Sequence, residues 1–253
     1  MSFSFQGRTV VITGASSGIG AACARLFAEG GARLWLAARR ESLLKGLAEE
    51  LMEQGMEAPS VQALDVRDFD AVEDFSRVVG VPDILVNNAG LSRGLGPLYE
   101  GKRVDWDEMI DTNVKGLLAV NRAFLPGMVA GGAGHLIHIG SIAGREVYPG
   151  GNVYCATKHA VDALTKSLRL DLSGTGVKVS TVDPGLVETE FGIVRYRGNA
   201  EKASAVYEGM LPLVAEDVAQ AVGWAASRPQ HVNAAEILLL PADQASSSVV
   251  HRD

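Results

Sequence analysis

Tyr154 and Lys158 form the pattern Y-x-x-x-K inside a stretch with helical periodicity that begins near Asn152. Side chains at positions i and i+4 share one helix face, so the phenol and the ammonium project in the same direction. A free phenol has a pKa of about 10, and a close ammonium stabilises the phenolate and lowers that pKa. The pair therefore predicts a tyrosine that exchanges protons with a substrate near neutral pH.

Two further polar residues, Asn113 and Ser141, precede this pair. Ser141 follows an apolar run that ends in H-I-G, and its hydroxyl can bond a substrate oxygen. Asn113 lies inside the helical stretch M-I-D-T-N-V-K-G, where a side chain that competes with backbone bonds needs a reason. Each feature is common alone, since a serine after a strand is most often a turn residue. Together and in this order, Asn113, Ser141, Tyr154 and Lys158 predict a catalytic set.

A glycine-rich segment, T-G-A-S-S-G-I-G, lies between the first predicted strand and the first predicted helix. Its glycines lack a Cβ, so the chain can turn sharply and a phosphate can approach the backbone. The helix that follows offers free N–H groups and the positive end of its dipole to that anion. Glycine is common in any such turn, but the place directly after a clear strand favours a dinucleotide site. The predicted contacts are Gly14, Ser16, Ser17, Gly18, Ile19 and Gly20.

The end of the second predicted strand bears on which nicotinamide dinucleotide is bound. An NAD enzyme needs an acidic residue there for the ribose hydroxyls, whereas this chain has Arg39 and Arg40. A guanidinium suits a phosphate because it offers forked, charged hydrogen bonds. The alternative is that both arginines are solvated residues ahead of the next helix. We favour NADP as the cofactor.

The spacing G-x-x-x-G-x-G, with N-N-A-G at 87–90 and the catalytic set, resembles the short-chain dehydrogenase/reductase family. The resemblance implies that Asn87 ties strands together, that Asp65 contacts the adenine amino group, and that Asn113 kinks its helix and holds a water beside Lys158. An ordinary turn is the alternative interpretation of N-N-A-G. The further cofactor contacts that the resemblance implies are Asp65, Val66, Asn87, Ala89, Gly90, Tyr154, Lys158, Pro184, Gly185, Val187 and Thr189.

Within that family, M-I-D-T-N, L-P-G-M-V, G-G-N-V-Y and P-G-L-V are most similar to NADP-dependent 3-hydroxy acid dehydrogenases, and sulfoacetaldehyde reductases are similar in the same regions. Both substrate classes carry an anion one or two carbons from the reacting carbon. Arg195 is the residue that we expect to bind that carboxylate or sulfonate through two parallel hydrogen bonds. Tyr148 and Gln244 are candidates for additional hydrogen-bond donors to the substrate. The alternative for Arg195 is a surface arginine on a mobile loop.

Seven short apolar runs alternate with helical stretches along the chain. The predicted strands are residues 8–13, 33–38, 61–64, 84–86, 135–140, 177–182 and 236–240. Strands that are nearly continuous in apolar residues are covered on both faces, as in a parallel sheet. The alternation predicts an α/β class, with residues 1–253 forming one doubly wound Rossmann domain whose mostly parallel seven-stranded sheet is flanked by helices. Residues 185–210 are the predicted substrate-covering loop region.

The chain has 253 residues, of which 47% are hydrophobic, and its net charge is −7. An acidic surface repels phosphate backbones and anionic lipid, so we expect neither nucleic acid nor membrane as a partner. We see no signal peptide. Cys23 and Cys155 are the only cysteines, which excludes a disulfide scaffold and favours a cytoplasmic location. The five histidines show no metal-ligand spacing, so we predict no metal site.

We expect a homotetramer that acts on a small anionic hydroxy or oxo compound. The predicted helix of Tyr154 has small apolar residues on the face away from the site, and such faces pack against a symmetry mate. These residues are Ala156, Ala160, Ala163 and Leu164. The alternative functions are reduction of a neutral, bulky or carrier-bound ketone, and a non-catalytic dinucleotide sensor. The presence of both Tyr154 and Lys158 argues against the sensor.

Overall fold

Seven strands form one sheet in the structure, a computed structural model that describes residues 3–253. In chain order the strands are β1 (Thr9–Thr13), β2 (Arg33–Ala38), β3 (Ser60–Ala63), β4 (Ile84–Asn87), β5 (Gly134–Ile139), β6 (Val177–Pro184) and β7 (Glu236–Leu239). Their order across the sheet is β3-β2-β1-β4-β5-β6-β7, and every neighbouring pair is parallel. The predicted fold class is confirmed, with a sheet that is wholly parallel.

Helices cover both faces of this sheet. They are α1 (Gly18–Glu29), α2 (Glu41–Glu53), α3 (Phe69–Val79), α4 (Arg103–Ile110), α5 (Leu117–Gly131), α6 (Asn152–Asp171), α7 (Phe191–Arg195), α8 (Ala200–Ser204) and α9 (Ala215–Ala226). A π-helical turn, Asp111–Gly116, joins α4 to α5. None of the described helices is both long and apolar enough to cross a membrane.

The central strand β1 shows why the apolar runs are continuous. Val10, Val11 and Ile12 are all fully buried, although successive side chains of a strand point to opposite faces. Val10 and Ile12 pack in the core beneath α1, α2 and α9, whereas Val11 packs in the core beneath α3 and α5. A strand with a core on each side has no solvent-facing position for a polar residue.

The strand order reverses between β1 and β4, and the carboxyl ends of both strands meet there. Thr13 Oγ1 donates to Asn87 Oδ1 over 3.3 Å, so Asn87 ties the two central strands together, as the resemblance implied. In open parallel sheets, ligands bind in the crevice at such a reversal point. This position holds the residues that the motifs predicted for cofactor and substrate.

The structure refines several predicted boundaries. α1 begins at Gly18, so the last residues of the glycine-rich segment already form its first turn. β6 continues to Pro184, two residues beyond its predicted end. Residues 185–210, the predicted substrate-covering region, contain the two short helices α7 and α8.

Candidate active site

A cavity of about 810 Å³ opens at the carboxyl edge of the sheet. It extends from the glycine turn, past the ends of β4 and β5, to the segment that contains α7. Most residues that the sequence predicted for the site line this one cavity. They are Gly14, Ser16, Ser17, Gly18, Ile19, Arg39, Arg40, Asp65, Val66, Ala89, Gly90, Ser141, Tyr148, Tyr154, Lys158, Pro184, Gly185, Val187, Thr189, Arg195 and Gln244.

Two predicted cofactor contacts, Gly20 and Asn87, lie behind the cavity wall. A Cβ on Gly20 would lie 2.3 Å from Gly14 O, so this glycine allows α1 to pack closely on the turn. The Asn87 side chain points into the protein, where its Nδ2 donates to Leu117 O and to Asn121 Oδ1, both over 3.2 Å. Both residues therefore support the wall and do not form its surface.

Sequence reasoning missed Asn88, the second asparagine of the N-N-A-G motif. It lines the cavity, and its Nδ2 donates to Thr13 O over 3.0 Å and to Gly14 O over 3.2 Å. These bonds fix the turn between β1 and α1. Gly14 itself has φ +67°, and a Cβ there would lie 2.9 Å from Ala89 Cα, so only glycine fits.

The N-terminus of α1 provides the chemistry that a pyrophosphate needs. Its N-cap residue Ser17 makes no capping hydrogen bond, and the first turn of α1 contains no acidic residue. The N–H groups of that turn are therefore available to an anion, at the positive end of the helix dipole. The donor chemistry and the size of the cavity both fit a dinucleotide.

The two arginines after β2 differ in their partners. Arg40 donates to Ser17 Oγ over 2.7 Å and to Glu190 Oε2 over 2.8 Å. The hydrogen bond from Arg40 is the main cause that lowers the pKa of Glu190, so the charge of Arg40 is balanced. Arg39 also lines the cavity and forms no ion pair with any residue between 3 and 253. Arg39 is therefore a cation at this end without a carboxylate at ion-pair distance, although its charge helps to lower the pKa of Asp65.

Asp65 lies at the end of β3, where the resemblance implies a contact with adenine. Arg67 holds the carboxylate, with Nε 3.0 Å from both Oδ1 and Oδ2. This hydrogen bond from Arg67 is the largest cause that lowers the pKa of Asp65, so the group remains an anion and a hydrogen-bond acceptor. Any contact with adenine would share the carboxylate with Arg67.

Ser141, Tyr154 and Lys158 converge at the other end of the cavity, each 8% exposed. Lys158 Nζ donates to Ile139 O over 2.9 Å, which places the ammonium at the end of β5. Burial lowers the pKa of Lys158 to about 8.

The pKa of Tyr154 differs from the expectation drawn from the i, i+4 pair. Burial raises this pKa well above its ordinary value, and the lowering by Arg195 and by the Ser141 hydroxyl does not offset it. Lys158 is not among the groups that lower this pKa in the structure, where its ammonium donates to Ile139 O. The phenol therefore keeps its proton at neutral pH.

Asn113 lies in the π-helical turn that joins α4 to α5, inside the helical stretch that the sequence predicted. Its Oδ1 accepts from Leu91 N over 2.8 Å, and its Nδ2 donates to Leu91 O over 2.8 Å and to Thr157 Oγ1 over 3.1 Å. The side chain is buried behind the wall. It fixes α6, which carries Tyr154 and Lys158, against the segment after β4.

Arg195 lies directly above the predicted catalytic tyrosine. Its guanidinium carbon is 5.4 Å from the ring centre of Tyr154, 5.6 Å from that of Tyr148 and 5.9 Å from that of Phe191. It also donates to the hydroxyl of Tyr148. No carboxylate in the described part of the chain forms an ion pair with Arg195. Its charge therefore faces the cavity uncompensated and next to the phenol.

Gln244 lines the cavity, and its amide also bonds the backbone. Its Oε1 accepts from Leu186 N over 2.8 Å, and its Nε2 donates to Ser246 O over 3.1 Å. These bonds hold the segment after β6 in place, and the contact of Gln244 with a substrate stays a prediction. Among residues 3–253, no three potential His, Cys, Asp or Glu ligands come together for a metal ion.

Comparisons with known proteins agree with this geometry. The model of the family described as short chain dehydrogenase matches residues 8–198. NADP-dependent 3-hydroxy acid dehydrogenase YdfG of Salmonella typhi is 44% identical over 249 residues, which cover 96% of this chain and 99% of the relative. Sulfoacetaldehyde reductase 2 of Chromohalobacter salexigens is 45% identical over 254 residues, with 96% and 98% covered. The solved closed form of serine dehydrogenase complexed with NADP+ has a TM-score of 0.91 and 41% identity, with 97% of this chain and 100% of that chain covered.

Proposed function

The chain belongs to the short-chain dehydrogenase family, and we propose that it uses NADP(H) to interconvert a small hydroxy acid, or a similar anionic hydroxy compound, and its oxo form. Family membership confirms the resemblance predicted from the motifs and makes the chain an oxidoreductase. The observation that carries the substrate class is Arg195, a guanidinium without a carboxylate partner that lies 5.4 Å from the ring of Tyr154.

The cofactor is NADP(H), which is named for the 3-hydroxy acid dehydrogenases and for the solved serine dehydrogenase complex. The α1 N-terminus is suited to the pyrophosphate, and Arg39 is suited to the additional phosphate that distinguishes NADP from NAD. We infer that the cofactor is held by Gly14, Ser16, Ser17, Gly18, Ile19, Arg39, Asp65, Val66, Asn88, Ala89, Gly90, Tyr154, Lys158, Pro184, Gly185, Val187 and Thr189.

Bound NADPH supplies the hydride for reduction of the carbonyl carbon. Tyr154 donates the proton that the carbonyl oxygen needs, because burial keeps its phenol protonated. Ser141 presents its hydroxyl on the same wall and bonds that oxygen. Arg195 lowers the pKa of Tyr154 and so favours the phenolate that remains, and Lys158, one helical turn away, adds a second positive charge on the same wall. In the oxidation direction the same groups act in reverse, with Tyr154 as the base.

Arg195 binds the substrate anion and turns the carbonyl toward Ser141 and Tyr154. A guanidinium forms forked hydrogen bonds with either a carboxylate or a sulfonate. Tyr148, whose hydroxyl accepts from Arg195, restricts the guanidinium to the space above the phenol. Both the 3-hydroxy acid and the sulfoacetaldehyde chemistry of the relatives therefore fit this one feature.

The test compares NADPH oxidation by wild type and Arg195→Ala with malonate semialdehyde, sulfoacetaldehyde and a neutral ketone of similar size. A charge-assisted hydrogen bond contributes about 1.5–3 kcal/mol, so kcat/KM for the two anions should fall roughly 10- to 150-fold. The value of kcat/KM for the neutral ketone should fall much less. Arg77→Ala, an exposed arginine on α3, is the matched control and should leave all three rates unchanged. Equal losses on charged and neutral substrates would instead support a carbonyl reductase of neutral ketones.

A further inference from the structure

The ion pair between Arg93 and Glu108 lies beside the proposed anion site and is not used by the chemistry above. Arg93 Nε lies 2.6 Å from Glu108 Oε2, and Arg93 Nη2 lies 3.2 Å from Glu108 Oε1. The two side chains are 13% and 22% exposed, so the pair is largely shielded from water. Arg93 also lines the cavity, but Glu108 balances its charge. It is therefore a poor receptor for a substrate anion.

Arg93 instead contacts the end of α7, where it donates to Val194 O. Its neighbour Gly94 completes the attachment, because Gly94 N donates to Arg195 O over 3.0 Å and Arg195 Nε donates to Gly94 O over 3.2 Å. α7 has 5 residues, and so short a helix is not stable by itself. Its last carbonyl groups also lack partners within the helix. The contacts with Arg93 and Gly94 therefore determine where Arg195 projects.

We propose that Arg93 and Glu108 are positioning residues that hold the guanidinium of Arg195 against the catalytic phenol. This inference rests on the proposed recognition of the substrate anion by Arg195. Glu108 orients Arg93 through both carboxylate oxygens, and Arg93 anchors the carbonyl of Val194. The backbone of Arg195 is then fixed, and its side chain needs little reordering when an anion binds.

The primary test is Glu108→Gln, which keeps the shape of the side chain but removes its charge and one of its two acceptors. KM for malonate semialdehyde should rise about tenfold, while kcat changes less than threefold. The anion is bound in both the ground state and the transition state, so its weaker binding appears mainly in KM. KM for the neutral ketone and the dissociation constant of NADPH should stay within about twofold. An equal rise of KM for charged and neutral substrates would overturn the proposal.

Two further variants separate positioning from general loss of structure. Asp105→Asn removes the charge of a second carboxylate that links α4 to the same loop. Its partner Arg197 is 51% exposed and lies 3.8 Å from Glu108 Oε2, and no ion pair joins Arg93 to Asp105 among the described residues. This control should leave KM for malonate semialdehyde within about twofold, and a tenfold rise would show that any tether of the loop has the same effect. Arg93→Lys keeps the charge but cannot form the fork with Glu108. It should give an intermediate rise in KM, and an unchanged KM would contradict the proposal.

The double variant Glu108→Gln/Arg195→Ala completes a double-mutant cycle, which tests whether Glu108 acts through Arg195. If Glu108 acts through Arg195, adding Glu108→Gln to Arg195→Ala should change kcat/KM less than twofold. Losses that multiply would refute the positioning role. Failure of the proposed function would be seen differently, in Arg195→Ala alone, as equal losses on charged and neutral substrates.

Discussion

Replacement of Arg39 by alanine should reduce the preference for NADPH over NADH. Arg39 lies at the end of β2 and lines the cavity without an ion pair in the described chain, whereas the adjacent Arg40 is neutralised by Glu190. The extra phosphate of NADPH should therefore meet one guanidinium that has no ion-pair partner. NADH has no such phosphate, so the change should leave its binding almost untouched.

The size of this effect follows from the exposure of Arg39. A charge-assisted hydrogen bond contributes about 1.5–3 kcal/mol, and the solvent-exposed position of Arg39 places it at the lower end of that range. Because about 1.4 kcal/mol corresponds to a tenfold change, kcat/KM for NADPH should fall about tenfold. The value for NADH should stay within about twofold. The loss should shrink at high salt, where exposed charges are screened.

The assay measures kcat/KM for both cofactors with one saturating substrate, in wild type, Arg39→Ala and the matched variant Arg40→Ala. Arg40 bonds Ser16, Ser17 and Glu190 around the glycine turn, so its loss should affect both cofactors similarly. An unchanged ratio of the two kcat/KM values in Arg39→Ala would refute the assignment. So would a larger loss of selectivity in Arg40→Ala than in Arg39→Ala.

Three other predictions concern the catalytic end and the assembly. Tyr154→Phe should lower kcat by roughly 10²- to 10⁴-fold while NADPH binding, followed by its fluorescence, stays largely intact; near-wild-type turnover would exclude Tyr154 as the proton donor. Lys158, whose pKa burial lowers to about 8, is charged below that pH and neutral above it, so kcat should decline as pH rises through about 8. Lys158→Arg should move that decline to higher pH, and an unmoved profile would assign it to another group. Ala156 and Ala163 are exposed on α6, so light scattering should give the mass of a tetramer, and a stable monomer at micromolar concentration would contradict this.

Most of the fold was predictable because the sheet depends on local composition. In the run T-V-V-I-T the three central residues are apolar and buried, and similar short apolar runs recur along the chain. The π-helical turn that carries Asn113 was not predictable from the sequence pattern. It accompanies bonds from Asn113 to Leu91 and Thr157, which are 22 and 44 residues away in the chain. Contacts at that distance leave no trace in helical periodicity.

In the site, too, the motifs identified the residues but not the effects of the protein that surrounds them. Motifs identified Ser141, Tyr154 and Lys158, and the structure places all three on one cavity. The motifs could not show that Lys158 bonds a backbone carbonyl, or that burial raises the pKa of Tyr154. Both effects arise from the surrounding protein, and neither depends on the spacing of the pair.

Charge balance explains how the arginines of the cavity divide into two roles. Arg40 and Arg93 each pair with a glutamate from a distant part of the chain, and each also bonds backbone or hydroxyl oxygens of the wall. Arg39 and Arg195 lie close to them in the sequence or in space, but neither has a carboxylate partner among the described residues. A neutralised guanidinium attracts an incoming anion weakly and holds protein segments well, whereas an uncompensated one attracts the anion strongly. We therefore propose that the paired arginines shape the two ends of the cavity and that the unpaired ones determine which charged groups bind there.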